Sequence, residues 1–273
     1  QVAVMAIVNR TPDSFHDRGR TFALTAAIDA VDQAVTHGAD WVDIGGVPFA
    51  PGPDVTVQEE LDRVLPVVEE ATRRHPQVVI SVDTYRPEVA SRSIAAGAGV
   101  INDTSGLRDR AMAEVVADSA ATLAIVHCLA APRTVFRRPT YRDVAVEVAD
   151  FLRRRVDLAV SIGVPPERII IDPGHDLNKN TYQTLELTRR LNNITAIGYP
   201  TLVAVSNKDF IGETLDLPQH QRLAGTLAAA VFCITQGARI VRVHDVRAAV
   251  SAVRLTEAIL GLRPPATARH NLV

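Results

Sequence analysis

The chain has 273 residues, of which 47% are hydrophobic and 22% charged, a composition that is ordinary for a globular protein. Its formal net charge is -2, so no overall field favours nucleic acid or a membrane surface as a partner. No run of about 18 apolar residues is present, and no membrane-spanning helix is expected. The arginines within 133–138 and 153–155 are interpreted as solvated loop and helix faces. Cys128 and Cys233 lie in separate apolar runs and are expected to be reduced core thiols, which predicts a cytoplasmic location.

Eight short apolar runs follow one another along the chain, and each has the character of a buried parallel strand. They are residues 2–8, 41–44, 78–82, 99–102, 122–126, 168–172, 201–205 and 239–243. Helical patterns lie between most of them. In the longest connection, a stripe at helical spacing predicts a helix that Gly163 ends. That stripe consists of Val148, Leu152, Val156 and Ala159.

Eight strand–helix units in about 250 residues match the size of a (β/α)8 barrel. The alternative is a doubly wound open sheet, which usually has fewer strands and a glycine-rich first turn. The sequence contains no GxGxxG motif and no low-complexity linker. We therefore predict a TIM barrel and interpret residues 1–273 as a single domain.

Polar side chains follow nearly every predicted strand. The set comprises Asn9, Asp43, Asp83, Asn102 with Asp103, His127, Asp172, Ser206 with Lys208, and Arg242 with His244. In a barrel, these positions converge on the carboxyl-terminal face, where active sites are built. A helix cap or a turn explains any single member, and we favour that explanation for Asp103, Asp109 and Ser206. Caps do not account for the whole set, so a binding site is predicted.

The polar groups of this set are of two chemical kinds. Asp83, Asn102 and Asp172 can accept hydrogen bonds from the N–H groups of a flat heterocycle. Lys208, Arg242 and His244 can bind an anionic group. The predicted ligand is therefore a small molecule, namely a phosphorylated or pyrophosphorylated heterocycle.

A metal site is the competing interpretation, because the predicted barrel brings His127, His175 and His244 towards one mouth. The sequence contains no HExxH motif or similarly close pair, so a transition metal is the weaker hypothesis. Mg²⁺ shared between Asn9 and a pyrophosphate is favoured instead, because Mg²⁺ prefers oxygen ligands.

Seven segments, in order, resemble the dihydropteroate synthase family over nearly the whole chain. They are NRTPDSFHDRG (9–19), DIGG (43–46), SVDTYRPEVA (81–90), INDTSG (101–106), IIIDPG (169–174), VSNKDFIG (205–212) and VRVHDV (241–246). The resemblance implies a barrel that forms homodimers. It also implies a transferase reaction that joins 6-hydroxymethyl-dihydropterin pyrophosphate to p-aminobenzoate in folate biosynthesis, with Mg²⁺ as cofactor.

The resemblance also implies roles for individual residues. It assigns the pterin ring to Asp83, Asn102, Asp172 and Lys208. It assigns the pyrophosphate to Asn9, Arg242 and His244, with Asn9 as the magnesium ligand. If chemistry occurs, the catalytic groups would be Lys208, Arg242 and His244.

The sequence departs from the family on the p-aminobenzoate side. After DIGG, an active synthase usually continues E-S-T-R-P-G, whereas this chain has VPFAPG (47–52). Two further motifs are altered, at DPGHDLNK (172–179) and AVSNKD (204–209). The altered acceptor-side positions are Val47, Phe49, Ala50, Asp176, Asn207 and Asp209. In the first loop, small or apolar residues are replaced by Arg10, His16 and Arg18.

These departures predict poor binding of p-aminobenzoate. Its carboxylate would meet Asp209, with Asp176 nearby, and like charges about 4 Å apart at a partly screened site oppose each other by several kcal/mol. We therefore expect a divergent second paralogue with weak or no synthase activity. The alternatives are an active synthase, a binding protein for another pterin-like or phosphorylated ligand, and a pterin-dependent methyltransferase. The first loop and the VRVHDV segment favour the synthase branch over the methyltransferase.

Overall fold

Residues 1–10 and 24–270 are described by the computed structural model, and they contain eight strands. The strands are β1 (Ala3–Asn9), β2 (Trp41–Gly45), β3 (Val79–Asp83), β4 (Val100–Asp103), β5 (Thr122–Val126), β6 (Ile169–Asp172), β7 (Leu202–Val203) and β8 (Ile240–Val243). All the strand pairs are parallel.

The helices of the described residues lie between the strands and after the last one. They are α1 (Leu24–Thr36), α2 (Val57–Arg74), α3 (Pro87–Ala95), α4 (Arg110–Ala117), α5 (Val144–Ile162), α6 (Thr181–Arg189), α7 (Asn192–Thr195), α8 (Asp209–Leu215), α9 (Leu223–Thr235) and α10 (Val246–Ile259). None of these helices combines the length and the apolarity that crossing a membrane requires.

The sheet closes on itself. Its strand order is β6-β5-β4-β3-β2-β1-β8-β7, so β6 and β7 stand at the two ends. These ends meet through an isolated parallel bridge between Ile171 and Thr201. The Ile171 amide also donates a hydrogen bond to the Pro200 carbonyl at 3.0 Å. The prediction of a (β/α)8 barrel is confirmed, and the open-sheet alternative is wrong.

Two details of the predicted elements differ from the structure. The seventh strand was predicted over 201–205, but β7 contains only Leu202–Val203. The chain turns soon afterwards, since Asn207 has a left-handed φ of +57°. Asp43 was expected at a strand end, but it is the third of the five residues of β2, and Gly45 ends the strand.

The longest helix agrees with its predicted pattern. The four residues of the predicted stripe are buried in α5, and the helix ends at Ile162. Gly163 follows with a φ of +118°, a left-handed conformation that glycine adopts without a steric penalty.

Side chains alternate between the barrel interior and the surrounding helices, because successive residues of a strand point to opposite faces. Apolar side chains fill the interior at Met5, Val100, Ala124, Ile170, Leu202 and Ile240. Trp41 and Val79 pack against them. Residues two or four positions further along the same strands therefore also face inward. The polar members of this inward set are Asn9, Asp43, Ser81, Asp83, Asn102, Asp172 and Arg242.

Candidate ligand-binding site

Arg242 joins two aspartates inside the carboxyl-terminal end of the barrel. Its Nε donates to Asp43 Oδ2 at 2.6 Å, and its Nη2 donates to Asp83 Oδ2 at 3.2 Å. Asp43 also accepts hydrogen bonds from Ser81 Oγ at 2.6 Å and from Asn102 Nδ2 at 3.2 Å. Strands β2, β3, β4 and β8 thereby share one polar network, which we call the barrel floor. Sequence reasoning placed Asp43 in the predicted set of polar strand-end residues without a specific contact, and it did not name Ser81, which inward alternation along β3 would have indicated.

The charges of the barrel floor offset one another. Burial raises the pKa of Asp83 to about 7, while the Arg242 charge lowers it and the Asp43 charge raises it. Burial also opposes the charge of Arg242, but Asp43 and Asp83 raise its pKa above the usual value. Arg242 is therefore a cation already flanked by carboxylates, and it presents less net positive charge to an anion than an isolated arginine would.

Asn102 offers a buried acceptor next to this network. Its Nδ2 is bonded to Asp43, but its Oδ1 has no hydrogen-bond partner within the described residues. Leaving a buried polar atom unpaired usually costs about 1–3 kcal/mol. An N–H donor on a bound ligand would satisfy this oxygen.

Asp172 lies at the end of β6, on the same inward-facing set. Its Oδ1 accepts a hydrogen bond from the Gly174 amide at 2.7 Å, within a turn where Gly174 has a φ of +65°. Burial raises the pKa of Asp172 to about 6, and the Gly174 amide and the Lys208 charge oppose that shift. Near pH 6, Asp172 is therefore divided between its protonated and ionised forms.

Lys179, to which sequence reasoning gave no role, belongs to a buried cluster with His127. Its Nζ lies 2.9 Å from His127 Nδ1, and it donates to the carbonyls of Gly174 at 2.8 Å and Leu177 at 3.0 Å. Burial lowers the pKa of Lys179 to about 7, although Asp172 raises it. Burial also lowers the pKa of His127 well below its usual value. His127 is therefore a neutral, buried partner of Lys179.

A cavity of about 850 Å³ opens at the carboxyl-terminal end of the barrel. Four predicted site residues share its polar wall, which consists of Asn9, Ser206, Lys208, Arg242 and His244. Ser206 Oγ lies 2.9 Å from His244 Nδ1 and fixes the orientation of the imidazole. Ser206 was expected to be a turn or cap residue, and this contact gives it a place in the wall. Burial lowers the pKa of Lys208, and the charges of Asp176 and Asp172 oppose that shift.

Much of the remaining cavity lining is apolar. It comes from the three loops that follow β2, β5 and β6. We call it the apolar wall, and it consists of Phe49, Ala50, Pro51, Val135, Phe136, Pro139 and Leu177. Val47, a predicted acceptor-side position, is absent from the lining.

Arg133 ties two of these loops together. It was interpreted from sequence as a solvated arginine, but its Nη1 donates to the carbonyls of Pro48 at 3.1 Å and Ala50 at 2.7 Å. Its Nη2 bonds the Pro53 carbonyl, and its amide donates to the Phe49 carbonyl at 2.9 Å. The loop over residues 47–53 is therefore held by a side chain from the loop after β5.

A second link joins the loops after β5 and β6. Asn178 Oδ1 accepts hydrogen bonds from the amides of Leu129 and Ala130, both at 2.9 Å. Tyr141 donates its hydroxyl to the Asn178 carbonyl at 3.0 Å. All three loops that form the apolar wall are thereby connected.

Three residues at the altered acceptor-side positions, Asp209, Asp176 and Asn207, already have hydrogen-bond or ion-pair partners. Asp209 pairs with Arg222 Nη1 at 3.0 Å, and its side chain is 82% exposed, so solvent weakens its charge. Asp176 accepts a hydrogen bond from the Phe210 amide at 3.1 Å. Asp176 also has a φ of +63°, which favours glycine, the residue that the family usually has there. The Asn207 amide donates to Thr226 Oγ1 at 3.0 Å.

The predicted first-loop arginines are only partly described. Arg10 Nη1 donates to the Arg63 carbonyl at 2.6 Å, so its guanidinium contacts helix α2. Burial lowers the pKa of Arg10. His16 and Arg18 lie outside the described residues.

The residues of the site give limited support to a metal. No group of three His, Cys, Asp or Glu side chains within residues 1–10 and 24–270 is arranged to hold one, so the histidine trio considered from sequence is not assembled. His175 is buried, and burial lowers its pKa to about 3. Asn9 lines the cavity, and its side chain contains one amide oxygen. Mg²⁺ commonly uses one or two protein oxygens together with water and phosphate, so Asn9 fits it only as part of a phosphate complex.

A closed parallel barrel with a polar pocket at its carboxyl-terminal end is the architecture of small-molecule enzymes and their relatives. Residues 5–244 match the family described as pterin binding enzyme, and the chain belongs to this family.

The relatives narrow this classification. The chain is 45% identical over 267 residues to a Mycobacterium tuberculosis protein named inactive dihydropteroate synthase 2, covering 96% of this chain and 84% of that protein. It is 38% identical over 261 residues to dihydropteroate synthase of Escherichia coli, covering 95% and 92% of the two chains. The structure of dihydropteroate synthase from Xanthomonas albilineans in complex with 7,8-dihydropteroate matches with a TM-score of 0.83 and 35% identity, over 96% of this chain and 94% of that one. The predicted resemblance is confirmed, and the chain is a divergent homologue of dihydropteroate synthases.

Proposed function

We propose that this chain binds a pterin carrying a pyrophosphate-like anion and has little or no dihydropteroate synthase activity. The observation that carries the proposal is the unpaired, buried Oδ1 of Asn102 beside the barrel floor. A buried acceptor without a protein partner favours a ligand with N–H donors, and a pterin ring carries several.

The pterin ring would lie against the inward-facing acids and amide. Asn102 Oδ1 would accept one N–H, and the carboxylates of Asp83 and Asp172 would accept others. The raised pKa values of both acids support this role, because a ligand that donates hydrogen bonds favours their ionised forms. Arg242 would hold Asp83 in position through its 3.2 Å contact.

The anion would lie along the polar wall. Lys208, Arg242 and His244 supply the donors, and Ser206 orients His244. Asn9 would contribute to holding Mg²⁺, which would supply positive charge to offset that of the leaving group.

The acceptor side explains the proposed loss of activity. The residues of the apolar wall carry no hydroxyl or charge that would place a carboxylate. The same loops add Thr134, Asp176, Asn178 and Lys179 to the lining, but Lys179 is already bonded to the Gly174 and Leu177 carbonyls. Transfer requires both reactants to be aligned closely. The name of the Mycobacterium tuberculosis relative is consistent with such a loss. A binding protein for a related pterin uses the same residues and is the second candidate, because the pterin and anion halves do not depend on the acceptor.

The assembly and location follow from weaker observations. Helices α9 and α10 expose Phe232, Leu255 and Ile259, apolar residues that a second copy would cover in a homodimer. The two buried free cysteines are compatible with a reducing cytoplasm.

Calorimetric titration with 6-hydroxymethyl-dihydropterin pyrophosphate, with and without Mg²⁺, tests the proposal. We expect saturable binding that Mg²⁺ strengthens. Asn102→Ala should weaken binding at least about tenfold, because one ligand hydrogen bond is lost. Ser93→Ala is the control, since Ser93 Oγ is also buried and without a partner in the described part of the chain, but it lies on helix α3 and not on a strand of the barrel. Absence of binding by the folded parent chain would refute the proposal.

A further inference from the structure

We propose that the apolar wall holds an uncharged aromatic or aliphatic group attached to the pterin, where a synthase would accept benzoate. This inference rests on the proposed pterin site and adds the chemical class of the group beside it. It concerns the wall formed by loop residues that include Phe49, Val135 and Phe136.

The first argument is continuity. The apolar wall and the polar wall line one cavity of about 850 Å³. A substituent on a ring held near Lys208 and Arg242 therefore extends into the same cavity that the apolar wall lines.

The second argument is exposed apolar surface. Val135 is 62% exposed and Phe136 is 41% exposed. Removing such surface from water is favourable roughly in proportion to the area covered. A phenyl or alkyl group would cover it, whereas a carboxylate would lose water there without gaining an ion pair.

The third argument is charge. Among the described residues, two cations of the loops that form the apolar wall are already bound: Arg133 to loop carbonyls, and Lys179 to the carbonyls of Gly174 and Leu177. Asp176 adds a carboxylate to the same side of the cavity. The side chains at the apolar wall therefore favour a neutral group over an anion.

The fourth argument is preorganisation. Arg133 fixes the carbonyls of Pro48 and Ala50, and Asn178 fixes the amides of Leu129 and Ala130. A wall that is already in place does not lose conformational freedom when a ligand binds.

Three probes separate this inference from the proposed function. They are 6-hydroxymethylpterin, 6-(anilinomethyl)pterin and pteroate, and the last two differ only by a carboxylate. We expect 6-(anilinomethyl)pterin to bind at least about tenfold more tightly than pteroate, which corresponds to about 1.4 kcal/mol. It should also bind more tightly than 6-hydroxymethylpterin, which does not reach the apolar wall.

A charge substitution tests the location of the effect. Val135→Arg should reduce the preference for 6-(anilinomethyl)pterin over pteroate at least about tenfold, because it adds a cation to the apolar wall. Val160→Arg is the matched control, because Val160 is 38% exposed on α5 and lies outside the cavity. It should leave the preference unchanged.

The outcomes are distinct. If 6-hydroxymethylpterin binds but the parent chain prefers pteroate, or gains nothing from the anilinomethyl group, this inference is wrong and the pterin proposal stands. An unchanged preference in Val135→Arg would also overturn it. If none of the three probes binds the folded chain but 6-hydroxymethyl-dihydropterin pyrophosphate does, this inference is wrong and the pterin proposal stands. If that ligand does not bind either, both fail.

Discussion

Arg133 Nη1 lies 2.7 Å from the carbonyl oxygen of Ala50, although 83 residues separate them in sequence. The same nitrogen also bonds the Pro48 carbonyl at 3.1 Å. One side chain therefore fixes the loop in which the chain departs most clearly from the synthase pattern. The Arg133 side chain therefore restrains this loop in addition to the loop's own prolines.

Loss of the Arg133 side chain should loosen residues 47–53. We expect Arg133→Ala to speed amide hydrogen exchange in this loop by about tenfold or more, because three hydrogen bonds from the guanidinium to loop carbonyls are lost together. The free energy of unfolding should fall by about 1 kcal/mol or less, since the freed carbonyls reach water. Arg137→Ala is the control, because Arg137 is exposed in the same segment. Equal exchange in both variants would show that Arg133 does not hold the loop.

Arg242 is expected to be important for stability as well as binding. Arg242→Ala leaves Asp43 and Asp83 buried without their cation, and breaking a buried pair in this way typically costs 3–5 kcal/mol. Arg110→Ala should cost less than about 1 kcal/mol, because that arginine is 67% exposed in its pair with Glu114. Urea unfolding of both variants measures the difference.

The same variant tests the anion prediction. If Arg242 contacts the anion, Arg242→Ala should weaken the binding of 6-hydroxymethyl-dihydropterin pyrophosphate more than the binding of 6-hydroxymethylpterin. Both affinities are measured under conditions where the variant is folded. Equal losses for the two ligands would mean that Arg242 acts only by positioning Asp83. Unchanged binding of the pyrophosphate ligand would rule out both roles.

Asp172 should make the stability depend on pH. Its pKa is raised from 3.8 to about 6, so its contribution is fully present below about pH 4 and is lost as pH rises through 6. Asp83 acts in the same direction, whereas Lys179, with a pKa lowered to about 7, acts in the opposite one. The parent chain alone therefore does not isolate Asp172, and a comparison with a neutral variant is needed.

Asp172→Asn provides that comparison, because asparagine resembles the protonated acid. Relative to the parent chain, the variant should gain on the order of 2 kcal/mol in free energy of unfolding between pH 4.5 and pH 8. Denaturant titrations at the two pH values measure this change. A difference that stays constant with pH would show that Asp172 titrates normally in the folded chain.

The sequence was sufficient to predict the barrel because its evidence is local and repeated. Each strand carries its own apolar run, and helices such as α5 carry both a stripe and a stop signal. Most of the polar wall could also be predicted from the sequence, because Asn9, Arg242 and His244 lie in or directly after strands whose ends converge. Asp43 was misplaced because an acid after two apolar residues resembles a strand end, although its strand continues to Gly45.

The contacts made by long side chains were not predictable from the sequence. Arg133 lies in an arginine-rich segment that resembles a solvated loop, and nothing local indicates that its acceptors are the carbonyls of residues 48–53. Asp209 was expected to repel the acceptor, but Arg222, thirteen residues further along, pairs with it. Such contacts depend on loop conformations, which short-range patterns do not specify.

Rebuilding the acceptor side should restore function in part. Val47→Glu, Pro48→Ser, Phe49→Thr and Ala50→Arg together reinstate the usual loop, and Asp209→Ser removes a carboxylate and releases Arg222. We expect the combined variant to gain measurable synthase activity, because it regains groups that place a carboxylate. Asp216→Ser, an exposed acid at the end of α8, replaces Asp209→Ser in the control. Equal activity in the two combinations would show that Asp209 is irrelevant.

The central claim is that this chain retains a pterin site but does not use p-aminobenzoate efficiently. Its most direct test is an initial-rate assay of the purified chain with Mg²⁺, 6-hydroxymethyl-dihydropterin pyrophosphate and p-aminobenzoate, run beside the Escherichia coli synthase. We predict a kcat/KM for p-aminobenzoate at least about 100-fold below that of the Escherichia coli enzyme, in a preparation that binds the pterin pyrophosphate. A kcat/KM comparable to that of the Escherichia coli enzyme would contradict the account.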